Sequence, residues 1–183
     1  HNVAHSFPHD ALPIAEQVQT GLTQLLTAEY WKLPGPDLLD AARTVERLAH
    51  LTYAIQVTLA GEADLAHLAQ SHGQPSTAAL LRHALTISPG DARGRVRAAQ
   101  AVLPQDTISG GEIPPRHPEL GAALRAGTLG REHTSIVLTT LSRLPSTVPA
   151  DLREQAETTL VEHATHMDPI HLNRVADRLL DAL

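Results

Sequence analysis

The chain contains no cysteine, and only one Phe, one Trp, two Tyr and one Met among its 183 residues. Without cysteine it can build neither a disulfide scaffold nor a thiolate-ligated zinc site. The scarcity of aromatic residues weighs against a β-sandwich or barrel, whose strands draw on β-branched and aromatic side chains. It also leaves few rings on which unpaired bases could stack, which disfavours recognition of RNA or single strands by stacking. No apolar run approaches the ~18 residues needed to span a bilayer, and no signal-peptide pattern opens the chain, so a soluble, cytoplasmic protein is expected. A formal charge of −6 argues against indiscriminate coating of nucleic acid, although a local basic patch can survive in an acidic chain.

What the chain has in quantity is leucine and alanine, 28 and 27 residues respectively, so its apolar content consists of helix formers. The length suits one generous domain or two small ones. The expected fold is all-α: a bundle of about eight helices with one long central helix and a helix-turn-helix at residues 76–103. Residues 1–13 read as an irregular lead-in, and residues 14–183 as a single domain.

Punctuation divides the chain clearly. Apolar residues at helical spacing run from Ile14 to Trp31, and Pro34-Gly35-Pro36 stops them. The strongest periodic signal follows, with Ala41, Val45, Leu48, Thr52, Ile55, Leu59, Glu62, Ala66 and Ala69 stepping by fours and threes. That stripe predicts a helix from Pro36 to Gly73, about 50 Å long, lying along the bundle through a coiled-coil-like seam. Leu48 and Ile55 then belong to the core, Gly61 marks a bend, and Glu62 is a buried carboxylate in need of an ion-pair partner. The Ser76-Thr77 pair and Ser88 are placed to cap two short helices, the second beginning Pro89-Gly90-Asp91. Gln105 to Pro118, with Gly110-Gly111 and its prolines, reads as a loop. Further helices are expected at Glu119–Ala126, Gly130–Leu144, Pro149–His166 and Pro169–Leu183.

Residues 76–103 carry Arg82, Arg93, Arg95 and Arg97 against Asp91, a formal +3 that leaves −9 for the rest. Two short helices joined by Thr86-Ile87-Ser88-Pro89 have the outline of a helix-turn-helix, whose second helix enters the DNA major groove with its N-terminal part. The four arginines are therefore the candidate nucleic-acid-binding residues, since arginine reads guanine edges and phosphates. Arg93 and Arg97 lie one turn apart, whereas Arg95 points ~200° away from Arg93. A solvated bundle helix would give the same pattern.

Other constellations carry less chemistry. Among 12 histidines, His163, His166 and His171 with Glu162 form the best cluster, but the chain has no HExxH string, and surface or loop histidines are the simpler reading. His50 is expected to be packed or hydrogen-bonded, and His133 carries no signal of its own. No GxSxG or glycine-rich phosphate loop occurs, so no catalytic residue is assigned. Glu154 and Glu157 read as a solvated helix face.

Several segments, in order, resemble one bacterial family. They are Ala60-Gly61-Glu62-Ala63-Asp64, Ser76-Thr77-Ala78-Ala79-Leu80-Leu81, and Ile87-Ser88-Pro89-Gly90-Asp91-Ala92-Arg93 with Arg95-Val96-Arg97-Ala98-Ala99. Ala123-Leu124-Arg125-Ala126-Gly127-Thr128-Leu129 with Glu132-His133 follows, then Leu160-Val161-Glu162-His163-Ala164 leading to Met167-Asp168-Pro169. From about Ala41 to Leu183 the chain thus resembles domain of unknown function 222, found as the N-terminal portion of proteins that end in an HNH endonuclease module. Gly127 to His133 is also similar to part of the ParB-type partition proteins.

The resemblance implies a DNA-binding or positioning domain, with double-stranded DNA as partner and a divalent metal only in a separate HNH module. No HNH ribbon or motif is present, so no cofactor is expected in this chain and no family catalytic residue transfers to it. The alternative is a protein–protein interaction or homodimerisation module built on the long helix, without DNA contact. An enzyme or histidine-based metal sensor is the least supported reading.

Overall fold

A computed structural model describes residues 11–106 and 111–182, apart from the side chain of Asp106. Residues 1–10 of the expected lead-in, and Gly110 of the glycine pair, lie outside the described residues. The fold is all-α, as expected, with nine α-helices among the described residues: α1 (Ala11–Leu26), α2 (Gly35–Leu65), α3 (Leu68–Ser71), α4 (Thr77–Leu85), α5 (Pro89–Val102), α6 (Pro118–Arg125), α7 (Arg131–Arg143), α8 (Ala150–Ala164) and α9 (Pro169–Ala182). A 3-10 turn covers Tyr30–Lys32. In the expected loop, β1 (Gln105–Asp106) and β2 (Glu112–Ile113) form a two-residue antiparallel ribbon, with Gln105 opposite Ile113.

Local chemistry explains the boundaries. Ser76 Oγ accepts from the Ala79 N–H at 3.2 Å and Ser88 Oγ from the Asp91 N–H at 3.1 Å, each satisfying a donor in the first turn of α4 and α5. Pro89 opens α5 with its φ already suited to a helix. Before α9, Asp168 Oδ1 accepts from the N–H groups of Ile170 and His171.

The long helix departs from expectation twice. It stops at Leu65 rather than Gly73, because His67 takes a left-handed conformation (φ 52°) and the chain restarts as the separate short helix α3, whose Ala69 is buried. Its buried face is also the opposite one: Tyr53, Val57, Ala60 and Gly61 face inward, whereas Val45, Thr52, Ile55, Leu59 and Glu62 are exposed and Leu48 is only half-buried. The cause is size. At Gly61 an added Cβ would lie 2.5 Å from Leu103 Cδ1 and 3.3 Å from Ala99 Cβ, so the small residues of α2 let the C-terminal end of α5 approach where leucines could not. Gly61 therefore sits inside a continuous helix as a close-packing residue instead of a bend, and Ile55 is not a core residue.

The chain divides within α2 into two compact units, one ending at Arg43 and one from Thr44 to Leu183. In the first unit no described residue is buried: Leu12, Ile14, Val18, Leu22, Leu25, Leu26, Trp31, Leu33, Leu38 and Leu39 are all exposed. In the second, Tyr53, Val57, Ala98, Ala99, Val102, Leu120, Leu124, Leu129, Val137, Leu141, Leu160, Leu172 and Ala176 form one continuous core. Helices α7, α8 and α9 pack mutually, α6 lies on α8, and α5 bridges α4, α6 and α7. Among the described residues no helix is long and apolar enough to cross a membrane.

Candidate nucleic-acid interface

Helices α4 and α5 pack on each other across the three residues Thr86, Ile87 and Ser88. Thr86, after the last turn of α4, is held at φ 54°, a left-handed conformation costly for a β-branched residue and usual for glycine in such a turn.

The four arginines have three different environments. Arg95 is buried: its Nε and Nη2 donate to Asp91 Oδ1 and Oδ2 at 3.1 and 2.9 Å, a bidentate pair one turn apart on α5. Arg131 Nη1 stands 3.3 Å from the same Asp91 Oδ1. The guanidinium of Arg95, with burial opposing it, holds the Asp91 carboxyl below the ordinary carboxylate range. Arg97 is exposed along its length, but its head is committed to α7, Nη2 donating to Leu138 O at 2.8 Å and to Ser142 Oγ at 3.1 Å. Arg82 and Arg93 are exposed, and among the described residues their side chains make no ion pair or hydrogen bond. The face of α5 that stays outside thus carries Gly90, Arg93, Arg97 and Gln100, and the one acid of the segment is turned inward and neutralised. An added Cβ at Gly94 would meet nothing, so at Gly94 the α5 backbone is open to close approach.

Beneath Asp91 a cleft of about 450 Å³ is lined by Glu46, His50, Tyr53, Asp91, Arg131 and His133, among others. Burial, reinforced by the Asp91 charge, pushes the Tyr53 hydroxyl up to about 12. His50 is hydrogen-bonded, as expected, with Nδ1 3.3 Å from Gly127 O, and His133 Nε2 lies 2.8 Å from Met167 O. The glycines beside them are fixed by space: Gly127 has φ +68°, and its added Cβ would fall 2.7 Å from Leu51 Cγ. One on Gly130 would fall 2.6 Å from His50 Cδ2. Gly127 to Gly130 therefore form a turn fitted against α2, and Arg131 to His133 are the first turn of α7.

Two carboxylates exchange the roles the sequence suggested. Glu62 is exposed on the outer stripe and makes no ion pair among the described residues, whereas Glu157 is buried. Glu157 Oε1 accepts from the Leu120 N–H at 3.0 Å, and Oε2 lies 3.0 Å from His117 Nδ1, so a side chain of α8 ties down the start of α6. This clamp stands at one wall of an open cleft of about 1250 Å³, with Asp64, Arg97, Arg116 and Arg153. Asp64, unflagged by the sequence, accepts from the hydroxyl of buried Thr77 and from Gln100 Nε2 at 3.1 Å, joining the ends of α2, α4 and α5. No periodicity or spacing marks these links, because each joins residues from separate elements of the fold.

The histidine cluster does not converge. His171 Nδ1 lies 2.6 Å from Asp168 Oδ2, and Asp168 is held below its ordinary range first by the N–H of His171 and then by its ring. Among the described residues no group of three or more His, Asp or Glu side chains is arranged to hold a metal.

Three mycobacterial proteins illustrate what the chain is similar to. Uncharacterized protein Rv1945 of Mycobacterium tuberculosis is 31% identical over 166 residues, covering 88% of this chain and 36% of the relative. Uncharacterized protein Mb1179c of Mycobacterium bovis matches to the same extent, 31% over 166 residues. Uncharacterized protein MT1160 of Mycobacterium tuberculosis is 31% identical over 99 residues, covering 54% of this chain and 24% of its own length. The chain thus spans about a third of the length of the first two. No solved structure matches it. With its nine described helices and a family model matched over residues 39–183, the chain belongs to the family described as Domain of unknown function (DUF222).

Proposed function

We propose that this chain is a non-catalytic domain that binds and positions double-stranded DNA, in the cytoplasm, through the outer surface of α4 and α5. The observation that carries this reading is the orientation of charge within residues 76–103. Asp91 is folded inward against Arg95, so Arg82, Arg93 and Arg97 face outward with no acidic side chain of that segment among them. Arg82 and Arg93 contact phosphates or base edges. Arg97, braced by α7, presents a fixed cation, and Arg95 is a positioning residue that keeps Asp91 from repelling the duplex. The open backbone at Gly94 allows close approach. In the longer relatives this domain would hold the duplex while a module elsewhere, an HNH nuclease by the family resemblance, acts on it.

The test is duplex binding by the intact chain across a salt series. Each phosphate contact contributes about 0.9 to the slope of log affinity against log salt, so Arg82→Ala/Arg93→Ala should flatten the slope by about 2 and weaken binding at low salt. Unchanged affinity and slope in a variant of normal helicity would remove this reading. Single-stranded DNA should bind more weakly than duplex, because Tyr53 is buried and few aromatic side chains remain for stacking.

A further inference from the structure

We propose that the cleft beneath Asp91 binds a phosphate group, held by the start of α7 together with Tyr53 and Arg131. One observation is a set of donors without acceptors. Gly130 precedes α7 and brings no side chain to cap it, so the N–H groups of Arg131, Glu132 and His133, at the head of this 13-residue helix, have no acceptor among the described residues. All three residues line the cleft, and the helix dipole favours an anion there. The other observation is independent of that helix. Tyr53, on α2, is only 7% exposed, and its hydroxyl has no hydrogen-bond partner among the described residues, where every fully shielded side-chain oxygen or nitrogen does have one. The hydroxyl is therefore the part of Tyr53 that opens into the cleft, on a ring fixed by packing. Pushed up to about 12 by burial, it stays protonated and meets a ligand as a donor.

The balance of donors and acceptors selects the ligand. Acceptors around the cleft are engaged already: Asp91 by Arg95 and Arg131, and Glu46 by His50, whose Nε2 lies 3.3 Å from Oε1. Ring nitrogens that a metal would need are taken too, His50 Nδ1 by Gly127 O and His133 Nε2 by Met167 O. Glu132 is the exception among the lining carboxylates, and it is exposed to solvent. Arg131 commits Nη1 to Asp91 and leaves Nε and Nη2 open among the described residues. What remains unspent is a set of donors, from α2 and from α7, around one volume of about 450 Å³. A tetrahedral phosphate presents enough oxygens to take up such a set, whereas a planar carboxylate has only two.

Such a group belongs either to the backbone of a duplex or to a small free phosphate, and amide chemical shifts of the intact chain separate the two. Inorganic phosphate and a short DNA duplex are titrated separately at constant ionic strength. The amides of Arg131, Glu132 and His133 should shift saturably with inorganic phosphate if the ligand is a free phosphate, and with the duplex if it is the DNA backbone. Tyr53→Phe removes one oxygen and no existing hydrogen bond, so it should weaken that binding at least about tenfold while leaving helicity unchanged. Neither Arg82 nor Arg93 lines the cleft, so Arg82→Ala/Arg93→Ala should bind inorganic phosphate as the parent chain does, whatever becomes of its duplex binding. No saturable shift at these amides with either ligand, equal shifts with acetate, or an affinity unchanged in Tyr53→Phe would overturn the proposal.

Discussion

The two units of this chain are both rich in leucine and both helical, but only one has an interior. In the unit from Thr44 onward, Leu120, Leu129, Leu160 and Leu172 are wholly shielded from water. In the unit that ends at Arg43, a comparable set of side chains, Ile14, Val18, Leu22 and Leu25 on α1, is open to solvent. Apolar periodicity states which residues share a face; whether anything lies against that face depends on the rest of the fold. Stability in this molecule should accordingly be concentrated in the second unit.

The sharpest contrast comes from truncating one leucine in each unit. Leu160→Ala should cost about 3 kcal/mol in a denaturant titration, whereas Leu22→Ala should change stability by less than about 0.5 kcal/mol. Equal costs would show that the apolar face of α1 is covered in solution. Comparable in size is Gly127→Ala, which combines a left-handed backbone with a clash against Leu51 and should cost about 2–3 kcal/mol.

Next in size is Arg95→Ala, which strands Asp91 without its bidentate partner and should cost about 2 kcal/mol at neutral pH. The sign with pH follows from Asp91, whose carboxyl titrates lower in the folded chain than its ordinary 3.8. Its stabilising contribution is full above that value and disappears as pH falls through the folded one. Acid denaturation monitored by circular dichroism should therefore be less steep below about pH 4 in Asp91→Asn. Tyr53 works in the other direction. Because its hydroxyl is raised from 10.0 to about 12, its contribution is complete below pH 10 and is lost as pH rises toward 12, a loss that Tyr53→Phe should abolish.

The smallest effect expected is a gain. Thr86→Gly, relieving a β-branched residue at φ 54°, should raise Tm by about 2–4 °C.

Helix limits were legible where a single residue determines them. Ser76, Ser88 and Pro89 mark the starts of α4 and α5 by backbone chemistry that needs no tertiary context. The separation of Arg95 from Arg93 was legible too, since it follows from 100° per residue alone. The buried face of α2 was not. Tyr53, Val57, Ala60 and Gly61 make a weaker hydrophobic stripe than the leucine-rich one opposite, and only the close approach of Leu103 and Ala99 makes it the better packing surface. The same limit explains the two glutamates. Glu62 lies on an apolar stripe that nothing in its own unit covers, and Glu157 on a polar helix that α6 happens to meet. Asp91 was visible as an acid one turn from Arg95, but the second cation on its carboxylate, Arg131, comes from 40 positions further along the chain.

The Glu157 clamp also bears on the order in which the chain assembles. Helix α6 is only 8 residues long, too short to persist alone, and the N–H of Leu120 in its first turn finds its acceptor on a side chain 37 residues downstream. As the chain emerges from a ribosome, α6 can pack on α5 but lacks the acceptor for its Leu120 N–H until α8 follows, whereas α4 and α5 carry their serine caps with them from the outset. The arginine-bearing pair of helices is thus the part of the second unit best equipped to form early, with the core closing behind it once α8 arrives.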